Sequence, residues 1–343
     1  MKRLLILLAA LALTGCAPLL SQQPLSPPNG FSGPQLADDR FVSFDGAPLG
    51  LAVWKPQAEP WAVIVGLHGM NDYANAFHLA APYWAEEGIA TYAYDQRGFG
   101  RSPGRGVWGG DALMVEDLRT LVALVRARHP GALIAVMGES MGGSIAIQAF
   151  ASDRPPAADR LILSAPAVWG WSSQPLPYKT VLWLAAHVTG SKVYTPPDWL
   201  TSHIQPSDNM DELVAMGRDP LMIWGARSDT LYHLVDAMDA GAQGVGRIQA
   251  PTLYLYGARD EIIPKTPSFK AAHQLKSGDR TAYYRRGYHL LLRDHQRAAV
   301  FADVAAFLRD PAAPLPSGAP PIPLKEIQRR PAEPEQVAGN PGA

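Results

Sequence analysis

Between residues 61 and 285 the chain repeats one alternation: a short, almost wholly apolar run, then a longer stretch whose apolar residues recur every three or four positions. The apolar runs are WAVIVGL, IATYAY, ALIAVM, RLILSA, PTLYLY and TAYYR, and none shows the polar alternation of a strand with one wet face. They read as strands of a sheet covered on both sides. The clearest helical stretch is DALMVEDLRTLVALVRARH, residues 111–129, where Leu118, Leu121, Val122 and Val125 share a face and Pro130-Gly131 stops the turn. This order predicts an α/β fold, a mostly parallel central sheet with helices on both faces. FVSF and LGLAVW, joined through Asp45-Gly46, predict a hairpin ahead of it.

One stretch breaks the rhythm. Residues 168–217 contain no strand-like run but hold Trp169, Trp171, Tyr178, Trp183, Tyr194 and Trp199 among many prolines. An insertion that long between two strands predicts a helical cap over the C-terminal edge of the sheet. Pro, Ser, Gln and Gly dominate residues 17–37, and Pro dominates residues 311–343, which leaves 38–310 as the folded unit. The first segment is expected to be a flexible tether, reaching roughly 60 Å if extended at about 3.1 Å per residue. The second is expected to be disordered.

The chain has one cysteine, Cys16, so it has no internal disulfide framework, and no His/Cys cluster has metal-site spacing. Its setting is MKRLLILLAALALTGC: a basic start, an apolar run of roughly ten residues, then small residues, which is the order of an export signal. LTGC resembles the lipobox of bacterial lipoproteins. That resemblance implies a signal peptide over residues 1–16, acylation of Cys16, and a lipid-anchored location in a bacterial cell envelope, with Ala17 favouring the outer membrane. Lys+Arg 30 against Asp+Glu 31 gives a formal charge of -1, so no electrostatic footprint for nucleic acid is present.

Within MGESMGG, residues 137–143, Ser140 stands two positions from Gly138 and from Gly142, directly after an apolar run. Strand, turn and helix in that order would push Ser140 outward at a helix start. A serine hydroxyl is a poor nucleophile unless a base takes its proton, and the base needs an orienting carboxylate. Downstream, LYLYGARDEIIP puts Asp260 just past one strand, and TAYYRRGYHLLLRD puts His289 just past the next. Asp229, Asp236 and Asp239 fall in a helical pattern, Glu261 points away if Asp260 points in, His295 belongs to the last helix pattern, and His187 and His203 belong to the cap. A tetrahedral intermediate also needs backbone N–H donors for its oxyanion. Met141, after the nucleophile, supplies one, and Met70 in VIVGLHGMND supplies the other, with His68 shaping that loop.

LHGM, YDQRGFGRS, GESMGG, GARDEIIP and GYHLLLRD together resemble the α/β-hydrolase superfamily over residues 41–308, specifically its monoacylglycerol lipase and lysophospholipase group, also grouped with serine aminopeptidases. The resemblance implies cleavage of a monoacylglycerol or lysophospholipid by Ser140, His289 and Asp260 through an acyl-enzyme, with no metal or organic cofactor. It also implies that DQRGFGRS is a structural turn. Glu139 stands where many relatives carry His, others Glu, and receives no role. TVLWLAAHV is expected to be a lid helix lining an apolar acyl pocket. Three alternatives stay open: an esterase for small soluble esters, an aminopeptidase whose substrate amine meets Asp198, Asp208, Asp211 or Glu212, and a catalytically silent binding module on the same scaffold.

Overall fold

A computed structural model describes residues 17–195 and 204–324. The signal segment with Cys16, the cap residues Asp198, Trp199 and His203, and the tail from residue 325 lie outside the described residues. The strands are β1 (Gln35–Leu36), β2 (Arg40–Val42), β3 (Pro48–Trp54), β4 (Ala62–Leu67), β5 (Ile89–Tyr94), β6 (Leu133–Glu139), β7 (Arg160–Ser164), β8 (Val193–Tyr194), β9 (Ala226–Arg227), β10 (Thr252–Gly257) and β11 (Arg280–Tyr284). The helices are α1 (Ala80–Glu86), α2 (Asp111–Arg128), α3 (Met141–Phe150), α4 (Leu176–Thr189), α5 (Met210–Arg218), α6 (Ser228–Gly244), α7 (Lys265–Ala272) and α8 (Arg297–Arg309).

Nine strands form one sheet in the order β1-β2-β3-β5-β4-β6-β7-β10-β11. From β5 to β11 every pairing is parallel, and the hairpin β2-β3 joins antiparallel at one side. Successive side chains of a strand point to opposite faces, and the two cores divide accordingly. Val63, Val65, Tyr254 and Tyr256 pack with α2, α3, α6 and α7. Ile64, Leu253 and Leu255 pack with α1 and α8 on the other face. Both faces are therefore dry, which is why these strands read as unbroken apolar runs.

Asp95, Arg97 and Ser102 in DQRGFGRS are buried framework. Arg97, fully buried, donates to both oxygens of Asp45 (2.8 and 2.9 Å) and of Asp117 (2.7 and 2.8 Å), and Ser43 adds a bond to Asp117 at 2.6 Å. Asp95 accepts the Ala74 N–H and the Arg101 N–H, each at 2.9 Å. The hairpin, the turn and α2 are thus joined through charge in the interior.

Both proline-rich ends lie on the domain where they are described. Gln22 donates its backbone N–H to Trp108 O (2.8 Å) and its side-chain amide to Val107 O (3.0 Å), Leu25 N–H donates to Asp45 at 2.8 Å, and β1 pairs with β2. In the described part of the tail, Pro320 O accepts the Tyr283 N–H at 2.8 Å, and Ile322, buried, donates to Thr281 at 2.9 Å. The physical reason is that proline lacks a donor but keeps its carbonyl. A proline-rich segment can therefore cover the open edge of β11 without any apolar periodicity of its own.

The cap also departs from its expected limits. It runs on through the ribbon β8-β9 to Arg227, and α6, which follows, packs on α3 as part of the core.

Candidate active site

β6 delivers Ser140 to the C-terminal rim of the sheet in a backbone conformation that side chains rarely adopt, φ 51° and ψ −116°. Glycines make that turn possible. A Cβ on Gly138 would lie 2.5 Å from Gly142 O, and one on Gly142 would lie 2.4 Å from Leu67 O and 2.7 Å from His68 O. The helix therefore packs against the strand at a distance only bare backbone allows. Gly142→Ala must push apart two segments that carry Ser140 and the loop after β4. We expect it to cost about 1–3 kcal/mol, read by denaturant unfolding, and to lower ester hydrolysis more than stability alone explains.

Asn71 (φ 66°), in the loop after β4, and Ala165 (φ 42°), just past β7, are the other described non-glycine residues with positive φ. Strain is thus gathered along one rim, at roughly 1–3 kcal/mol per residue. The Ser140 N–H donates to Ser164 O at 3.0 Å, and Ser140 O accepts the Ala167 N–H at 2.9 Å, so the turn is clamped from β7.

Asp260 and His289 meet. His289 Nδ1–H donates to Asp260 Oδ2 at 2.9 Å, both side chains buried. The other carboxylate oxygen accepts the Ile262 and Ile263 N–H groups at 2.8 and 2.9 Å, which fixes the carboxylate plane. With Nδ1 committed, Nε2 is the basic ring nitrogen. Burial pushes His289 down, but the charge and hydrogen bond of Asp260, with Glu139 and Asp294 behind them, hold it net above its ordinary value. The Ser140 hydroxyl itself has no hydrogen bond among the described residues, a separation that substrate-free sites often show.

The loop after β4 lies against Ser140: a Cβ on Gly69 would be 3.2 Å from the Ser140 Cβ. His68, fully buried, accepts the Gln96 N–H on Nε2 at 2.9 Å, so its Nδ1 carries the proton and donates to Gly69 O at 2.7 Å. Burial lowers its pKa and keeps it neutral. By holding the Gly69 carbonyl it fixes the Gly69–Met70 peptide, whose N–H must point the opposite way. Met141 opens α3, so its N–H has no partner within the helix. Among the described residues neither N–H is spent on a loop or cap bond.

Glu139, next to the nucleophile, is fully buried with both carboxylate oxygens unpartnered among the described residues. Burial, partly offset by Arg293 and reinforced by Asp72, raises its pKa to about 7. Arg293 was not singled out from sequence and is the hub behind the site. It pairs with Asp72 at 2.5 Å, lies 3.7 Å from Glu212, and donates to the sulfur of Met216 in α5 at 3.1 Å. Asp294 accepts the Tyr288 N–H and the Ser207 hydroxyl at 2.8 Å each, steadying the loop that carries His289.

The rivals lie elsewhere. Glu261 accepts the Gln205 N–H at 2.9 Å, and Asp229 pairs with Arg227 at 2.7 Å. Asp236 holds the Trp171 indole at 2.6 Å, Asp239 accepts the Ser172 N–H at 2.8 Å, and His187 stacks on Trp183. His295 is exposed in the turn before α8, not within that helix. Of the cap acids, Asp208 accepts the His295 N–H at 2.8 Å, and Glu212 faces both Arg293 and His78. A small polar cavity of about 80 Å³ lies between Asp72, Tyr73, His78, Glu212, Asp219 and Arg293. On the cap, Trp171, Lys179, Thr180, Trp183 and Tyr232 line an open groove of about 330 Å³. The expected lid helix is α4, and it lines this groove with part of its surface only: Val181, Leu184 and Val188 are exposed.

Comparison with known proteins identifies the family and the fold. The family profile described as serine aminopeptidase, S33, matches residues 58–296. A monoacylglycerol lipase of Mycolicibacterium smegmatis is 29% identical over 285 residues, 79% of this chain and 96% of that protein. A monoglyceride lipase of Homo sapiens is 25% identical, across 82% of this chain and 93% of its own length. Among solved structures, a soluble variant of monoglyceride lipase from Saccharomyces cerevisiae, in complex with a substrate analogue, superposes with a TM-score of 0.66 at 21% identity, over 85% of this chain and 100% of that one. A carboxyl esterase from Bacillus coagulans, in complex with glycerol, gives 0.66 at 21% identity, over 82% and 100%. The architecture is the α/β-hydrolase fold.

Proposed function

The chain belongs to the serine aminopeptidase S33 family of α/β hydrolases, and on that premise we propose that it hydrolyses carboxylic esters, monoacylglycerols foremost, through an acyl-enzyme on Ser140. The observation that carries this reading is the 2.9 Å bond from His289 to an Asp260 carboxylate already locked by two backbone N–H groups. His289 Nε2 takes the Ser140 proton as Oγ bonds to the ester carbonyl carbon, and Asp260 stabilises the imidazolium. The N–H groups of Met70 and Met141 receive the oxyanion, each contributing roughly 3 kcal/mol. Collapse breaks the bond to the alkoxy oxygen, which leaves with the proton from His289. Water, deprotonated by the same imidazole, then frees the acid and restores Ser140.

The names of the relatives support monoacylglycerol before lysophospholipid or small soluble esters. Asp208 and Glu212 are engaged within the protein, which leaves the exposed Asp211 as the described cap acid that could meet a substrate amine. A panel of monoacylglycerols, lysophospholipids, p-nitrophenyl esters and aminoacyl amides tests the choice: the highest kcat/KM is expected for a monoacylglycerol, and preference for a short soluble ester would sink the lipase reading. We infer also that Cys16 is acylated and holds the enzyme to the outer membrane of a bacterial envelope, on the strength of LTGC.

The pH profile has a defined sign. The imidazole must be neutral to act, and its pKa is held above the ordinary 6.5, so kcat/KM falls on the acid side through a midpoint above 6.5. Glu139, its own pKa raised to about 7, is only partly ionised where the imidazole titrates, and Glu139→Gln removes that partial charge, which favours the imidazolium. Its acid limb is expected at lower pH than that of the wild type, by up to about half a unit, when kcat/KM for a p-nitrophenyl ester is followed across the range. Superimposable profiles would contradict it.

A further inference from the structure

Asn71, directly after Met70, holds a left-handed conformation (φ 66°) that side chains avoid. A strained residue of that kind persists only where its surroundings over-determine it. The Met70 N–H is one of the two donors assigned above to the oxyanion, so whatever holds Asn71 also holds that N–H in place. His68 secures the near side of the loop through Gly69 O at 2.7 Å. The far side is secured from the cap.

Ile223 N–H donates to Asn71 O at 3.0 Å, and the Tyr73 hydroxyl donates to Asp219 Oδ2 at 2.6 Å, while Asp219 Oδ1 accepts the Leu221 N–H at 2.8 Å. Burial and the Asp219 carboxylate push the Tyr73 phenol above its ordinary value, so it stays a donor. The segment that makes these bonds, just past α5, is itself fixed: Arg105 donates to Leu221 O, Pro220 O and Met222 O at 3.0, 2.9 and 2.9 Å. The same half of the cap reaches the loop of His289, since Pro206 O accepts the Leu290 N–H at 2.9 Å and Asn209 donates to Arg293 O at 3.0 Å. Helix α4, by contrast, packs on α6.

We propose that Tyr73 and Asp219 are positioning residues for the oxyanion: their hydroxyl-to-carboxylate bond, backed by the Ile223 N–H on Asn71 O, keeps Asn71 in its strained turn and the Met70 N–H aimed at the developing charge. Residues 206–223 are then a fixed brace for the two catalytic loops, not a lid. This rests on the serine-hydrolase reading above, with Met70 as a donor. When the bond is cut, Asn71 relaxes toward an ordinary backbone conformation and the N–H shifts with it. Acylation and deacylation both pass through an oxyanion, so both slow together, and kcat falls with KM nearly unchanged.

Tyr73→Phe and Asp219→Ala are expected to lower kcat for a p-nitrophenyl ester about tenfold with KM within about twofold, and Asp219→Asn, which keeps an acceptor for Leu221 and a partner for the phenol, to recover most of that loss. A trifluoromethyl ketone reads the same contact without turnover: Ser140 Oγ bonds to its carbonyl carbon, the hydroxyl proton passes to His289, and the ketone oxygen becomes the oxyanion. Its Ki is expected to rise by about the factor by which kcat falls. A bond that served stability alone would lower the folded fraction and leave Ki where it was, and that result overturns the proposal. Hydrogen exchange of the wild type and of Tyr73→Phe reads the loop apart from any chemistry, with faster exchange expected in the variant across residues 68–73. Unchanged exchange there overturns the brace. Faster exchange with kcat and Ki both unaltered overturns the positioning role by removing Met70 from the oxyanion hole. Wild-type protein that neither cleaves the ester nor binds the ketone fails the hydrolase reading itself, and the positioning role with it, whatever the exchange shows.

Discussion

Ser140→Ala is expected to lower kcat/KM for every ester in the panel by at least about 10⁴-fold while leaving the unfolding midpoint within experimental error. The first half follows from chemistry: the Ser140 side chain lies beside Gly69 at the start of α3, and without its hydroxyl water must attack with no covalent intermediate. The second half follows from geometry. The Ser140 side chain has no hydrogen bond among the described residues, and alanine meets the same backbone strain at φ 51°. A variant that lost activity and stability together would indicate a structural serine. Steady-state kinetics and urea unfolding on one preparation separate the two.

Arg97→Ala is expected to have the largest effect on stability, about 3–5 kcal/mol, with no direct role in chemistry. Arg97 lies wholly inside the protein between Asp45 and Asp117, themselves nearly or fully buried. Removing it strands two carboxylates where water cannot reach them, and each must then take up a proton or pull the interior open. Arg101, 38% exposed at its side chain, provides the comparison: its partner Asp95 is buried but keeps the Ala74 and residue-101 backbone N–H donors, so Arg101→Ala is expected to cost only about 1–2 kcal/mol. Urea unfolding of both variants checks the ratio. Equal losses would mean that burial of the ion network is not what joins the hairpin, the turn and α2.

The legible part of this protein was the part governed by period and chain order. Apolar runs gave the core strands because both faces of the sheet are dry, and the position of Asp260 and His289 just beyond two of those strands is where the structure brings them together. Arg293, Asp72 and Asp294 were hidden because their meaning lies in pairings across 221 and 87 residues of sequence, which no local pattern encodes. The described parts of the two ends depart from expectation for a different reason. Proline-rich composition signals the absence of an apolar face, yet carbonyls at Pro320 and Pro311 still accept bonds from Tyr283 and Arg280 on the edge strand. The far limit of the cap was blurred because α6 looks like any other amphipathic helix; its packing on α3 is what assigns it to the core.

The most direct test of the account is covalent. Incubation with a fluorophosphonate, followed by intact mass and peptide mapping, is predicted to give one adduct per chain, on Ser140, and none in Ser140→Ala. An adduct on a different side chain, or a folded protein that takes up no label, would contradict it.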